Sequence, residues 1–195
     1  QGNLTHVENP FSVALEGDGF FQIRTESGEL QYTRDGSFEI SPVANGNMLC
    51  TSDGNPVLDA YGNQIILPSN RVATDLVVNQ DGTLAFPDGT GNPAVITDAN
   101  GRPVKFGIYQ FNNPAGLSKE GSNNYSVTVA SGAAVAENGN AAVKQTKTHQ
   151  YYTEASNVDV ANEMVNLIVA QRAYEMNSKA IQASDEMMQQ ANALR

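Results

Sequence analysis

The residues of this chain that could carry acid–base chemistry are its carboxylates, and the most conspicuous of them share one context. Each of Asp18, Asp35, Asp53, Asp81 and Asp88 directly precedes a glycine. Asp-Gly supplies the positive φ angles of tight turns, so turn formation explains these residues without catalysis. A glycosidase needs two carboxylates placed on either side of the scissile bond, and nothing in the sequence selects such a pair. We therefore predict that the chain is not an enzyme.

Histidine and cysteine, the most common zinc ligands, are few. The only histidines, His6 and His149, lie near opposite ends of the chain, and Cys50 is the only cysteine. Zinc requires three or four ligands at recognisable spacings, which are not present. A single cysteine in a short apolar run cannot form an intramolecular disulfide and is expected to be a small buried residue. We predict no metal, no cofactor and no catalytic residue.

Composition disfavours several other functions. The chain has 195 residues and a net charge of −10, with no cluster of Lys and Arg. Binding to nucleic-acid phosphates or anionic lipid depends on such clusters. No stretch approaches the roughly 18 consecutive apolar residues of a membrane-spanning helix. We predict no nucleic-acid partner and no membrane span. Because the sequence begins with Gln1, we also expect it to be part of a longer protein.

Residues 1–147 are predicted to form an antiparallel β domain of the sandwich or barrel type. Short alternating apolar runs are separated by Asp-Gly and Asn-Gly pairs, which is typical of strands joined by hairpins. The longest predicted strand is 104–111, and Tyr125, Val127 and Val129 predict another. Residues 130–147, rich in Ala, Gly and Asn, are expected to be a flexible exit from the domain. Residues 148–155 are expected to be a last strand or an extended connector.

Residues 156–195 contain neither Gly nor Pro and predict a long amphipathic helix. Ser156, with Asp159 three residues later, is predicted to cap its N-terminus. A second stripe of mostly small residues runs from Ala170 to Leu194 beside the main apolar face. The predicted assembly interface comprises the residues of the main face, namely Val160, Met164, Leu167, Ile168, Gln171, Tyr174, Ile181 and Met188.

The length of this helix indicates that its partner lies outside its own domain. At about 1.5 Å per residue it would be roughly 55–60 Å long, which exceeds the diameter of a small domain. The β region contains no second helix of matching length. We therefore favour packing in a coiled-coil-like assembly over a helix folded back on the β domain. Two alternatives from other classes stay open: a secreted cell-wall glycan hydrolase with an unidentified carboxylate pair, and an adhesin or phage-fibre module.

The helical segment closely resembles the C-terminal helix of the bacterial flagellar basal-body rod and hook proteins, a family of axial proteins. Within the family it is most similar to distal rod proteins. Segments 1–4, 32–38 and 111–117 of the β region also resemble the family pattern. The matching motif positions singled out are Asn157, Val158, Glu163, Arg172 and Glu175 in the helix, and Gly17, Gly19, Phe20, Phe21, Asp35 and Gly36 in the β region.

The resemblance implies a structural protein of the basal body, outside the cytoplasm, that is exported by the flagellar type III channel. It implies helical self-assembly into a distal rod that transmits torque to the hook, with hook or proximal rod proteins as alternatives within the family. It implies contacts with copies of itself and with neighbouring rod and hook proteins, and makes the ring proteins around the rod candidate partners. Family members also pair an N-terminal helix with the C-terminal one, and we expect that helix to be missing from this sequence.

Overall fold

The computed structural model describes residues 2–88, 93–140 and 142–193, with side chains described to residue 190 within the helix. Gln1 and Leu194, at the ends of two segments cited above, lie outside this range. The described residues contain one long helix, α1 (Val160–Ala193), and two short 3-10 turns, Ala73–Asp75 and Pro114–Gly116. The predicted class, mainly β with a long C-terminal helix, is confirmed.

The strands are short, as expected where turn signals follow one another closely. Those among the described residues are β1 Leu4–His6, β2 Val13–Glu16, β3 Phe20–Arg24, β4 Leu30–Thr33, β5 Glu39–Val43, β6 Gly46–Cys50, β7 Ile66–Leu67, β8 Val77–Val78, β9 Leu84–Pro87, β10 Pro93–Val95, β11 Ile108–Gln110, β12 Ser118–Gly121, β13 Asn124–Ser126, β14 Val135–Ala136, β15 Lys147–Gln150 and β16 Tyr152–Glu154.

These strands form several small antiparallel sheets in place of one continuous sheet. The largest has the order β12-β13-β4-β3-β11-β14. Two three-stranded sheets have the orders β5-β6-β7 and β10-β9-β8, and the pairs β1–β16 and β2–β15 complete the set. Strands from the two ends of the β region therefore pair with each other. The chain divides into two compact units, residues 1–155, called the β unit here, and residues 156–195.

The core of the β unit is organised on both sides of strand β3. Successive side chains of a strand point to opposite faces, so the neighbours Phe20 and Phe21 enter different clusters. Phe21 is fully buried, with ring centroids 5.0 Å from Phe38 and 5.2 Å from Phe106. Phe20 belongs to the smaller cluster, 5.5 Å from the ring of Phe111. The two adjacent phenylalanines thus join the two apolar clusters through one strand.

The predicted strands at 104–111 and 125–129 are wrong in part. Only Ile108–Gln110 of the first forms a strand, because the partner of this segment changes along its length. Lys105 bridges Thr83, whereas Phe106 bridges Asp59. In the second, the exposed Val127 and Val129 follow β13 and lie outside any strand, since the Thr128 hydroxyl closes a turn by accepting the Ser131 N–H.

The expected flexible exit at 130–147 is also wrong for the residues described there. This segment contains strand β14 and contributes the buried side chains Glu137 and Thr146. It is followed by β15 and β16, which pair with β2 and β1 respectively. The proposed division into a domain at 1–147, a connector at 148–155 and a helix at 156–195 stays a prediction.

Helix α1 begins four residues later than expected, at Val160. The predicted cap Ser156 accepts the Val158 N–H, outside the helix. The cap is Asp159, whose Oδ1 accepts the Ala161 N–H at 3.0 Å while its carbonyl accepts the N–H of Glu163. A carboxylate at this position satisfies a free N–H group of the first turn and interacts favourably with the helix dipole.

Candidate assembly site

Helix α1 carries the predicted interface residues, and all of them are exposed. Tyr174 is 77% exposed, Ile181 64% and Ile168 50%, although side chains of this size are usually inside a fold. Gln171 and every other described side chain of α1 are exposed as well. The structure therefore brings the predicted residues together on one helix, where their apolar surface is available to a partner.

The interface residues follow the spacing of a coiled coil. We define seam A as the positions that alternate by four and three residues from Val160 to Met188, a pattern that keeps one line of side chains toward a neighbouring helix. Seam A comprises Val160, Met164, Leu167, Gln171, Tyr174, Ser178, Ile181, Asp185 and Met188, with Ile168 at its margin. Every second position of seam A, counted from Val160, is apolar. The positions between them begin with Met164 and are polar from there on, namely Gln171, Ser178 and Asp185.

A second seam with the same spacing lies on the opposite side of α1. Seam B comprises Val169, Ala173, Met176, Ala180, Ala183 and Met187. At about 100° of rotation per residue, its centre lies roughly half a turn from that of seam A. The predicted stripe of small residues shares Ala173, Ala180 and Met187 with it. Small residues permit two helices to approach closely, so seam B is suited to a tighter contact than seam A.

Polar residues separate the two seams. Arg172, Lys179 and Glu186 recur seven residues apart on one side of α1, with Glu175 next to them. Asn177 and Ser184 occupy the other side. All six side chains are exposed. A helix with two opposite apolar seams cannot cover both of them by pairing with one neighbour, so α1 is suited to a position between two helices.

The motif glycines at the start of the β region lie against a buried carboxylate. The Gly19 N–H donates to the Thr146 hydroxyl at 3.1 Å, and that hydroxyl donates to Glu137 Oε1 at 2.6 Å. Glu137 Oε1 also accepts from Gln110, and its Oε2 accepts the Thr146 N–H. A Cβ at Gly19 would lie 2.7 Å from the Thr146 oxygen, and one at Gly17 would lie 2.9 Å from it. Larger residues would displace this network.

The remaining motif residues of the β unit are structural. Phe20 and Phe21 belong to the two apolar clusters of the core. Asp35 Oδ1 accepts the Ser37 N–H at 3.0 Å and its Oδ2 accepts from the Asn123 amide at 3.1 Å. Gly36 accepts the Val13 N–H at 3.0 Å, and a Cβ there would overlap the Val13 carbonyl oxygen. These positions fix the backbone of the β unit.

Motif residues near the start of the helix and along it are solvent-facing. Asn157 and Val158 precede α1, and Val158 is 61% exposed. Glu163 lies in the first turn, where a negative charge is favoured. Arg172 and Glu175 lie on the polar surface between the seams.

Shifted pKa values occur at several places in the β unit, and the groups concerned have structural partners. The hydrogen bond with His149, 2.7 Å from Glu16 Oε2, lowers the pKa of Glu16. The hydrogen bond from the backbone N–H of Arg102 lowers the pKa of Asp98 most, and the hydrogen bond from the Arg102 guanidinium lowers it further. Burial raises the pKa of the Cys50 thiol, as does the charge of Glu39. Within the described ranges, no three His, Cys, Asp or Glu side chains are grouped to hold a metal ion.

Two polar clusters were not predicted from the sequence. One is the Glu137–Thr146 network, and the other joins Arg34 to Glu154 through an ion pair of 2.9 Å. Arg34 lies inside the motif segment 32–38, which was the available signal, but its partner is 120 positions away. In the part of the chain that the structure covers, no helix is both long and apolar enough to cross a membrane.

Comparison with known proteins gives matches at both ends of the chain. Residues 14–86 match the model described as the flagellar hook protein FlgE/F/G D1 domain. Residues 149–194 match the model described as flagellar basal body rod FlgEFG protein C-terminal. The second match covers all of helix α1, strand β16 and the last two residues of β15.

Whole-chain relatives agree with these matches. The flagellar basal-body rod protein FlgG of Borreliella burgdorferi is 39% identical over 199 residues, and that of Buchnera aphidicola subsp. Acyrthosiphon pisum is 37% identical over 201 residues. Each alignment covers 100% of this chain and 68% of the relative. The flagellar hook-basal body complex protein FlhP of Bacillus subtilis is 34% identical, with 100% of this chain and 69% of that protein covered.

Proposed function

The chain belongs to the flagellar basal-body rod protein family, and from that membership we propose how its helix serves the rod. Proteins of this family are structural and not enzymatic, so the chain is a structural subunit of the flagellar basal body in the cell envelope. It assembles with other rod and hook proteins. Our proposal is that it forms the distal rod by helical self-assembly and transmits torque to the hook through packed helices.

The observation that carries this proposal is the exposed, two-seamed helix α1. Fully burying a side chain such as that of Leu, Ile or Met stabilises an assembly by about 1.5–3 kcal/mol, and seam A alone offers several such side chains. If each α1 lies between two neighbours, the contact is heterologous and does not close after two subunits. Repeated contacts of that type generate a helical filament, which is the architecture that a rod requires.

The ends of the β unit support pairing with a preceding helix in a longer chain. Strand β1 pairs with β16, which places Leu4 opposite Glu154, and the Ala155 N–H donates to the Asn3 carbonyl at 2.8 Å. A helix that preceded β1 would therefore end close to the point where the chain leaves the β unit toward α1. We propose that seam A takes that helix and that seam B takes the preceding helix of a neighbouring subunit, so that the contact between subunits is heterologous.

The test replaces one seam residue in the full-length protein, expressed in a bacterium that lacks its own distal rod gene. Ile181→Glu places a carboxylate within seam A, where its burial costs several kcal/mol, and should prevent rod completion. Gln182→Glu adds the same charge beside the seam and should support swimming. Motility in soft agar and electron microscopy of basal bodies give the readout. Normal rods containing Ile181→Glu would contradict the role of seam A.

The same experiment separates the distal rod from the alternatives within the family. The unaltered full-length gene should restore rods in the strain without a distal rod gene. It should not restore rods in a strain without a proximal rod gene, nor hooks in a strain without the hook gene. Rescue of one of those strains alone would assign the chain to that other position.

A further inference from the structure

We propose that Arg34 and Glu154 form a clasp that holds the entry and exit of the β unit together. The guanidinium of Arg34 contacts Glu154 through two nitrogen atoms, with Nε 3.0 Å and Nη2 2.9 Å from Oε2. Its Nη1 donates to the carbonyl oxygens of Gly17 at 3.0 Å and Gly19 at 2.9 Å. One side chain thus joins the exit strand β16 to the turn between β2 and β3.

The second oxygen of Glu154 extends the clasp to the beginning of the chain. Glu154 Oε1 accepts the N–H of Gly2 at 2.9 Å. At Gly2 a Cβ would overlap the carbonyl oxygen of Ala155, so only glycine permits this approach of the two backbones. Both oxygens of one carboxylate are therefore used, one for Arg34 and the other for the entering chain.

The strand pair that the clasp closes has little other support. Strands β1 and β16 share only three residue pairs, and none of their side chains is buried. Such a short ladder without a buried face is expected to open readily. At its other end the ladder is held by His6, whose ring centroid is 5.3 Å from that of Tyr152, and by the Val7 N–H, which donates to Tyr151. The clasp fastens the end nearest α1.

The chemistry of the clasp requires both of its charged groups. The Arg34 and Glu154 side chains are 22% and 16% exposed, so their pairing is only partly screened by solvent. A planar guanidinium can serve a carboxylate and two carbonyl groups at once, whereas the ammonium of lysine is a point charge with a different reach. Arg34 is thus a positioning residue, which acts on β1 through Glu154.

The proposed consequence is that the chain segments before and after the β unit have a high effective concentration relative to each other. Two segments that leave the β unit side by side meet far more often than they would if the pair of strands β1 and β16 opened. This use of the clasp rests on the rod function proposed above, but the clasp is defined within the β unit alone. It can therefore be tested without assembly, and its failure is distinguishable from failure of the rod function.

The test is hydrogen exchange of the 195-residue chain, with Arg34→Ala and Glu154→Gln as variants. Glu154→Gln leaves Arg34 free to keep its contacts with the two glycine carbonyls, so it remains informative even if Arg34→Ala does not fold. In both variants the Ala155 amide should exchange at least about tenfold faster, while core amides such as Val57 stay unchanged. Arg34→Lys should not restore slow exchange. Arg102→Ala, which breaks a half-buried Arg–Asp pair elsewhere, is the matched control and should leave Ala155 unchanged.

A second measurement reports on position directly. Spin labels at Asn3→Cys and Ala155→Cys, in a Cys50→Ala background, should give one narrow distance distribution that broadens when Arg34→Ala is added. Unchanged exchange at Ala155 together with an unchanged distance distribution would overturn the clasp. A uniform rise in the exchange of all amides would also overturn it, because Arg34 would then be a general stabiliser of the β unit.

Discussion

Gly36 lies where strand β2 passes too close for any side chain. Its carbonyl accepts the Val13 N–H, and a Cβ would overlap the Val13 carbonyl oxygen. Gly36→Ala should lower the free energy of unfolding by about 3 kcal/mol, at the upper end for overpacking. Gly54→Ala is the control, because its site is open and only the positive φ of 82° opposes the methyl group. It should cost about 1 kcal/mol. Urea denaturation measures both; equal losses would show that the contact with Val13 is unimportant.

Asp35 should make the β unit more sensitive to acid. Burial opposes its ionisation, but hydrogen bonds from Ser37 and Asn123 outweigh burial and lower its pKa from the ordinary 3.8. Because the pKa of Asp35 is lower in the folded than in the unfolded chain, its carboxylate stabilises the fold at pH values above the unfolded pKa. This stabilisation is lost as the pH falls through the folded pKa. Between about pH 5 and pH 2 the unaltered chain should therefore lose more stability than Asp35→Asn. Urea midpoints across this range test the prediction, and parallel curves would contradict it.

The sequence predicts residues whose role is local and misses those whose partners are distant. Asp35 and Asp81 accept N–H groups two residues ahead, so the dipeptide pattern was sufficient to assign them to turns. Cys50 is buried, as its apolar neighbours indicated. Glu137 has no such signal, because its environment is assembled from Gln110 and Thr146 after folding. The same is true of Arg34 and Glu154.

Helix α1, taken as an element, should be only weakly stable in a dilute single chain. Helices gain most of their stability from a packed face, and the described side chains of α1 are all exposed. Amides from Val160 to Ile181 should therefore exchange rapidly at low protein concentration and become protected as the concentration rises. Amides of strand β3 serve as the internal reference. Strong protection of α1 in the dilute monomer would contradict its role as an assembly element.

At the level of elements, periodicity located the helix well and the strands less well. The absence of Gly and Pro after Ser156 marks α1 because a helix depends on its own residues. A strand depends on its partner, and the segment 104–111 pairs with different segments along its length. The alternating pattern of this segment therefore did not predict where the strand begins and ends. The 4-3 spacing of both seams was present in the sequence and needed only the helix bounds to be recognised.

The whole molecule should behave as two units that unfold independently. The division falls between Ala155 and Ser156. Because the described side chains of α1 are exposed, a chain ending at Ala155 should keep the unfolding free energy of the β unit within about 0.5 kcal/mol. Urea denaturation followed by the near-ultraviolet signal of the buried aromatic residues tests this. A large loss of stability would show that α1 supports the β unit.

Fold class and rod-protein function were predicted at this scale, since both depend on patterns spread over the whole chain.

The antiparallel pairing of β1 with β16 makes residues 2–155 an insertion in the topological sense. Entry and exit are opposite each other across one pair of strands, which lie about 5 Å apart. An unrelated β module, or a turn of a few residues, could be spliced between the same two points without moving what comes before or after. Proteins built on this plan can therefore exchange or enlarge this region through changes at two positions that are distant in the gene but adjacent in the fold, while the flanking segments continue to be selected for assembly.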